Sequence, residues 1–509
     1  MRKAILACLA AGLLLAGCGS GWEEVDNPAK GTVLTVNKAE DDGSEGTLRW
    51  AILKSNAEPG KFKIVLTPPA GGALVIKPTG QLPSIIGPAR IEGPWSGSGT
   101  PTVALDGSSW LDLSLTPLGR AIPSACPGEA AGQFGPNTRS LRNAGLQVVD
   151  SRDVEITGFE VRNFCIGIMS LRSHDNFIHT MRLVGNLGAA GILITGDDGS
   201  AAGGSAGNST HNVLERNVFL NNTDGLDIAR GSSGTIVRTN TFTIDANGIP
   251  SSGIEILSSD NVVLEGNLLE GYATAMQLGG DGHTIARNTL VNNGIGLQMG
   301  GTGYKLTGNV VRNNRAGVLQ TTPTGTKTNT LSENLIYANG QEIDRCGPLN
   351  GANTVPDAGV CATKEWERSR INLALNGFLA SIANDDGSNC SDRLPDCVLP
   401  QNYPVLSGTV LESAGFLVKG TLSSRPNAKF SIEVFASRSE GIGGLGEGEV
   451  FLGKVDVTTD ATGLGTFSLR TSADPLKDGN RDVYFTATAT RASNGQTSEL
   501  SRPQLVRRP

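Results

Sequence analysis

Six copies of one phrase between residues 212 and 343 constrain this chain more than any other feature. They read NVLERNVFLNNTDGLDI from Asn212, TIVRTNTFTIDANGIPSSGIEI from Thr235, NVVLEGNLLEGYATAMQL from Asn261, TIARNTLVNNGIGLQM from Thr284, YKLTGNVVRNNRAGVLQ from Tyr304 and NTLSENLIYANGQEI from Asn329. Each copy is an apolar alternation, an Asn, a second alternation, a polar turn and a third alternation. The marker falls at Asn217, Asn240, Asn267, Asn288, Asn309 and Asn334, at spacings of 23, 27, 21, 21 and 25 residues. A period in this range signals a stacked repeat, and alternation without helical periodicity makes the repeat a β-solenoid.

One such coil cannot bury its inward side chains alone. Stacking coils about 4.8 Å apart pairs each strand with its equivalents above and below. The alternation predicts two inward columns. One holds Val213, Ile236, Val262 and Ile285, the other Phe219, Phe242, Leu269 and Leu290. Asn suits the corner, because its short amide tolerates left-handed backbone and can bond its equivalent one coil away. Weaker copies begin at Val154 and Phe177, with Gly158 and Met181 at the marker position.

These copies resemble the right-handed parallel β-helix repeats of the pectate-lyase-like superfamily. GSEGTLRWAI from Gly43, LPSIIGPARIEGP from Leu82 and PTVALDGSS from Pro101 are similar to the opening of bacterial β-helix surface proteins. LPQNYPVL from Leu399 and the segment from Leu445 are similar to their C-terminal module. The resemblance covers most of residues 31 to 505. It implies an all-β fold with an N-terminal cap, but the same fold hosts lyases, hydrolases, epimerases and binding proteins.

The N-terminus is a processing signal. Arg2 and Lys3 precede the apolar run AILACLAAGLLLAG, which ends in Leu15-Ala16-Gly17-Cys18. That ending resembles a bacterial lipobox, which implies acylation at Cys18 and a membrane anchor. Residue 19 is Gly rather than Asp, so outer-membrane or surface display is expected. With Cys8 removed and Cys18 acylated, six cysteines remain, and six allow fifteen pairings. The local pairs Cys346–Cys361 and Cys390–Cys397 are expected, leaving Cys126 with Cys165. A metal site is the alternative, without CxxC or Cys–His spacing to support it.

The chain has 509 residues, 68 of them Gly, and is 18% charged with a net charge of −7. That composition fits a turn-rich β protein and excludes the basic footprint of a nucleic-acid binder. The expected organisation is a lipoprotein signal over 1–17, a tether over 18–30 and a cap over 31–61. The β-helix follows over 62–343, then a disulfide-bearing connector over 344–401. Over 402–509, alternating segments at about ten-residue spacing predict an immunoglobulin-like β-sandwich. The cap contains one helical stretch, GTLRWAILKSN from Gly46, with Leu48, Ile52 and Leu53 as its apolar face. A cap is needed because the terminal coil exposes strand edges.

Candidate chemistry centres on NNTDGLDI. Its Asp224 and Asp227 resemble the NTDGxD element of polygalacturonases, which hydrolyse with an acid and a base set apart. Asp245 follows in the next coil, but that family's GHG and RIK elements are absent. A pectate-lyase-like reading groups Asp224, Asp227, Asp245 and Glu255 around Ca²⁺ with Arg230 or Arg238 as base. A structural reading has these Asp residues shaping coil turns. The four histidines, His174, His179, His211 and His283, read as turn or surface residues. The sequence therefore favours a noncatalytic lipid-anchored surface protein with glycan, envelope or protein partners. A lyase or hydrolase of uronate polymers is the alternative.

Overall fold

The computed structural model describes residues 31–111, 126, 143–196, 207–245, 251–320, 329–341, 372–375, 401–412, 415–471 and 481–507. Cys18 and the Cys346–Cys361 and Cys390–Cys397 pairs lie outside them. Three parallel sheets run the length of a coil stack. The first runs from Thr32–Val36 to Thr330–Ser332, the second from Leu74–Ile76 to Leu335–Tyr337, the third from Ala144–Val149 to Leu373–Ala374. The stack thus starts before residue 62 and ends after residue 343. From Ala144 onward the described coils place one short strand in each sheet, which is the solenoid expected from the repeats.

The second sheet carries the expected inward column of Phe219, Phe242, Leu269 and Leu290, in register and buried. Phe219 and Phe242 stack with centroids 4.3 Å apart. The first sheet differs by one residue. Its inward column is Leu214, Val237, Leu264, Ile285 and Leu306, whereas Val213 and Ile236 face outward and are partly exposed. A slip of one residue moves a side chain to the opposite face, and the flanking residues here are apolar on both sides. Val262 is buried at a corner, outside that column.

The marker asparagines form a ladder inside the stack. Asn217, Asn240, Asn267, Asn288 and Asn309 each pass an Nδ2–H to the next Oδ1, at 2.8–3.1 Å, and the ladder ends at Asn334, which donates to the Leu306 carbonyl. The left-handed backbone lies one residue earlier, at Arg216, Thr239, Gly266, Arg287, Gly308 and Glu333. The corner residue turns the chain, and the following Asn points inward to satisfy backbone groups that the turn removes from the sheets. Gly158 belongs with the turning residues, so Phe159, aligned with Met181 and Asn217, takes the inward position. A second ladder, which the marker phrase did not reveal, joins Asn293, Asn314, Asn339 and Asn372.

The helix Leu48–Ala57 covers the N-terminal end, capped by Thr47, whose side chain accepts from the Trp50 N–H. Its buried face is Leu48, Ala51, Ile52 and Ser55; Leu53 is exposed, one position round from the 3–4 spacing. At the other end, two four-stranded antiparallel sheets share a core of Phe416, Val418, Phe430, Ile432, Val434 and Phe485 and make a β-sandwich. It docks on the last coil. Ile336 and Gly448 exchange backbone hydrogen bonds, and Phe435 and Leu500 join the solenoid core.

Candidate functional site

The outer face of the third sheet is shielded from water, unlike an ordinary solenoid flank. An inward column of small residues explains how this sheet is set. Gly145, Gly167, Gly191, Gly225, Gly253, Ala275, Gly296 and Gly317 occupy equivalent positions. A Cβ on Gly225 would meet the Phe242 ring at 2.5 Å and the Gly253 carbonyl at 2.5 Å, so only glycine fits there. The next residue, Leu226, also faces the core. Two consecutive inward residues put Asp224 and Asp227 on the same outer side, three positions apart.

Two outward columns follow. The first reads Ala190, Asp224, then Ser252, Thr274, Ile295 and Ala316. The second reads Met169, Leu193, Asp227, Glu255, Gln277, Gln298 and Leu319. Met169 and Leu193 pack with Ile166, Leu171, Ala189 and Ala229 in an apolar cluster separate from the core. Past Gln147, which precedes Met169 in the second column, both columns run apolar, polar, apolar. The polar window spans three to four coils, on the order of 10–15 Å at the parallel-strand spacing.

The window is buried. Asp224 is 1% exposed, Asp227 2% and Glu255 8%. The Glu255 carboxylate accepts from Gln277 Nε2 at 2.8 Å, and Asp224 Oδ1 accepts from the Ser252 N–H at 2.9 Å. Asp224, at the start of a strand and not in a coil turn, thus supports a backbone N–H of the next coil where the Gly225 irregularity interrupts the ladder. Asp227 and Glu255 are neighbours in adjacent coils. Around them the hydroxyls of Thr223, Ser251 and Thr274 and the Oε1 atoms of Gln277 and Gln298 are buried without a protein hydrogen-bond partner, as is the hydroxyl of Tyr272, whose ring packs inward in the core. Such atoms are rare in folded proteins, because each forfeits about 1–3 kcal/mol of hydration. Burial, and then the nearby Asp224 charge, hold the Tyr272 hydroxyl protonated far above its usual range.

The other candidates do not join this window. Asp245 is exposed past Thr241–Thr243 in the second sheet, its N–H donating to Asn221. Arg230 is exposed just after Asp224–Ala229. Arg238 lies on the outer face of the first sheet, paired with Glu215 at 2.6 Å. Among the described residues no group of three or more His, Cys, Asp or Glu could hold a metal ion, so the Ca²⁺ cluster expected from Asp224, Asp227, Asp245 and Glu255 does not assemble. His283 is a buried corner residue, not a surface one. Its Nδ1 accepts from the Val262 N–H at 3.1 Å, its Nε2 donates to the Gly279 carbonyl at 2.8 Å, and burial lowers its pKa. The window's hydroxyl and amide members were legible only as alternating positions, since register alone reveals which of them meet. The Cys126–Cys165 disulfide, the expected non-local pair, lies beside the apolar end of this face, with both sulfur-bearing side chains against Gly188.

The fold defines the class: a parallel β-helix protein. Residues 132–322 match the NosD family, described as periplasmic copper-binding protein (NosD). The carboxylates and amides of the window are hard donors, poorly suited to copper. Over 473 residues the chain is 32% identical to a 3-dehydroshikimate dehydratase of Acinetobacter baylyi, covering 86% of this chain and 89% of the relative, and it belongs to that protein's family. Solved structures with likeness include an endo-xylogalacturonan hydrolase from Aspergillus tubingensis (13% identity, 59% of this chain and 92% of that one, TM-score 0.35). Another is the mannuronan C-5 epimerase AlgE6 A-module of Azotobacter vinelandii (15%, 59% and 91%, TM-score 0.34). At that similarity they say nothing about chemistry here.

Proposed function

We propose that this chain is an exported dehydratase that removes water from a small hydroxylated ring acid, with 3-dehydroshikimate as substrate. The observation that carries the reading is the shielded polar window, three to four coils tall and closed by apolar residues at both ends. Its size suits one ring. A polymer laid along the stack would instead need carboxylates in an open groove, and Asp227 and Glu255 are 2% and 8% exposed. The family relation to a named dehydratase supports the same conclusion and turns the reading from a noncatalytic surface protein to an enzyme.

Dehydration of a β-hydroxy ketone needs a base at the carbon beside the carbonyl and an acid at the departing hydroxyl. Glu255, oriented by Gln277, takes the carbon-bound proton. The electron pair enters the carbonyl system, returns to form the new double bond, and the C–O bond breaks. Asp227, one coil away, delivers a proton to the departing oxygen, which leaves as water. Loss of one water and enolisation convert 3-dehydroshikimate to 3,4-dihydroxybenzoate.

The basic n-region and lipobox support an envelope location with Cys18 as lipid anchor. Among the described residues no helix is long and apolar enough to cross a membrane. The test is incubation of purified protein with 3-dehydroshikimate, following the aromatic product by ultraviolet absorbance and chromatography. No conversion, with cleavage of a uronate polymer instead, would return the reading to polysaccharide chemistry.

A further inference from the structure

We propose that the buried hydroxyls of Thr223, Ser251 and Thr274 form the subsite that reads the substrate's ring hydroxyls and make the protein selective for polyhydroxylated ring acids. This rests on the dehydratase reading of the same window. Each of the three residues is 1% exposed, and none of the hydroxyls has a protein partner. They lie together. Thr274 stands in the outward column directly after Ser252, and Thr223 and Ser251 immediately precede Asp224 and Ser252 of that column.

The same chain shows what a structural hydroxyl looks like. Ser209, Ser232 and Thr235 are each buried at the corners between the third and first sheets. Their hydroxyls donate to the carbonyls of Ser173 at 2.8 Å, Ala229 at 2.6 Å and Ser232 at 2.8 Å. Along these corners the fold satisfies the hydroxyls that hold coils together, with that of Ser151, at the first of them, as the exception. It leaves those of Thr223, Ser251 and Thr274, beside Asp224 and Ser252 of the window, with donor and acceptor capacity unused. A hydroxyl both donates and accepts, so it complements another hydroxyl without regard to charge. A site whose buried polar atoms need substrate partners rejects analogues that lack them, because rejection follows from leaving those atoms unsatisfied.

The test uses the full-length protein, titrated calorimetrically with shikimate, which keeps the ring hydroxyls and lacks the ketone, and with cyclohex-1-enecarboxylate, which lacks both. Shikimate should bind and the bare ring acid should not. Thr274→Val and Ser251→Ala should each raise Kd for shikimate about tenfold. Neither should lower the thermal midpoint, because each removes an unsatisfied buried hydroxyl. Ser232→Ala, at a satisfied hydroxyl, should lower the midpoint and leave Kd unchanged. The proposal is overturned if Thr274→Val lowers the midpoint with Kd unchanged, if the bare ring acid binds as tightly as shikimate, or if the wild type binds no ring acid. Shikimate binding without conversion of 3-dehydroshikimate would defeat the dehydratase reading and leave the subsite standing. Conversion with unaltered Kd in the variants would do the reverse.

Discussion

The carboxylate of Glu499, in the sandwich, accepts the backbone N–H of Leu375, on the last coil, at 3.0 Å. Glu433 and Glu447 do the same for the N–H groups of Glu333 and Ala338, at 2.8 and 3.0 Å. Three glutamates thus satisfy donors at the end of the stack that no further coil pairs, which is how the sandwich closes an edge that would otherwise recruit another strand.

That cap is sensitive to pH. Burial pushes the Glu499 carboxyl up to about 7 and raises those of Glu433 and Glu447. Between its ordinary value of 4.5 and about 7, Glu499 binds more protons in the folded state than in the unfolded chain. Its contribution is therefore full below pH 4.5 and is lost as pH rises through about 7, by an amount of order 3 kcal/mol. Thermal unfolding should show the sandwich-capped stack less stable at pH 8 than at pH 5. Glu499→Gln should flatten that slope. Identical slopes for both proteins would refute the assignment.

Leu264 is fully buried in the inward column of the first sheet, and its neighbour Glu265 faces out toward Arg287. Leu264→Asp should cost several kcal/mol and unfold the solenoid, because it buries a charge without a partner. Glu265→Gln should cost less than about 1 kcal/mol. Chemical denaturation compares the two, and equal midpoints would reverse the facing of this strand.

Asn288 donates to the Leu264 carbonyl and to Asn309 Oδ1, and its own Oδ1 accepts from the N–H and Nδ2 of Asn267. Asn288→Ala removes four buried hydrogen bonds, so a loss of about 3 kcal/mol or more is expected in urea unfolding. A change within error would mean that the ladder is ornamental to stability.

Glu255→Gln and Asp227→Asn should each lower the dehydration rate about 10² to 10⁴-fold with circular dichroism unchanged. Asp224→Asn should act mainly on stability, since Asp224 holds the Ser252 N–H. Full activity in both Glu255→Gln and Asp227→Asn would remove the acid–base assignment.

Cys18→Ser should release the protein from membranes and abolish labelling by a fatty-acid analogue. Wild-type protein that takes up no label would rule out the anchor.

The sequence by itself determined the coil architecture, the asparagine ladder, the Phe219–Leu290 column, the sandwich and the Cys126–Cys165 pair. All but the cysteine pair are periodic, and period 2 within a period near 21 to 27 is written directly in the residues; the cysteines were paired by their count and the local alternatives. It left the facing of the first sheet open by one position, because Val213 and Leu214, or Ile236 and Val237, are both apolar, and only closure of the coil chooses between them. The site was half legible. Asp224, Asp227 and Glu255 stood out as acids, yet Asp245, Arg230 and Arg238 looked equally eligible. What separated them was tertiary: the Gly225 irregularity that brings Asp224 and Asp227 to one side, the register that stacks Glu255 and Gln277 beside them, and the burial of that outer face. Register and burial come from contacts between coils more than twenty residues apart, so no local pattern could carry them.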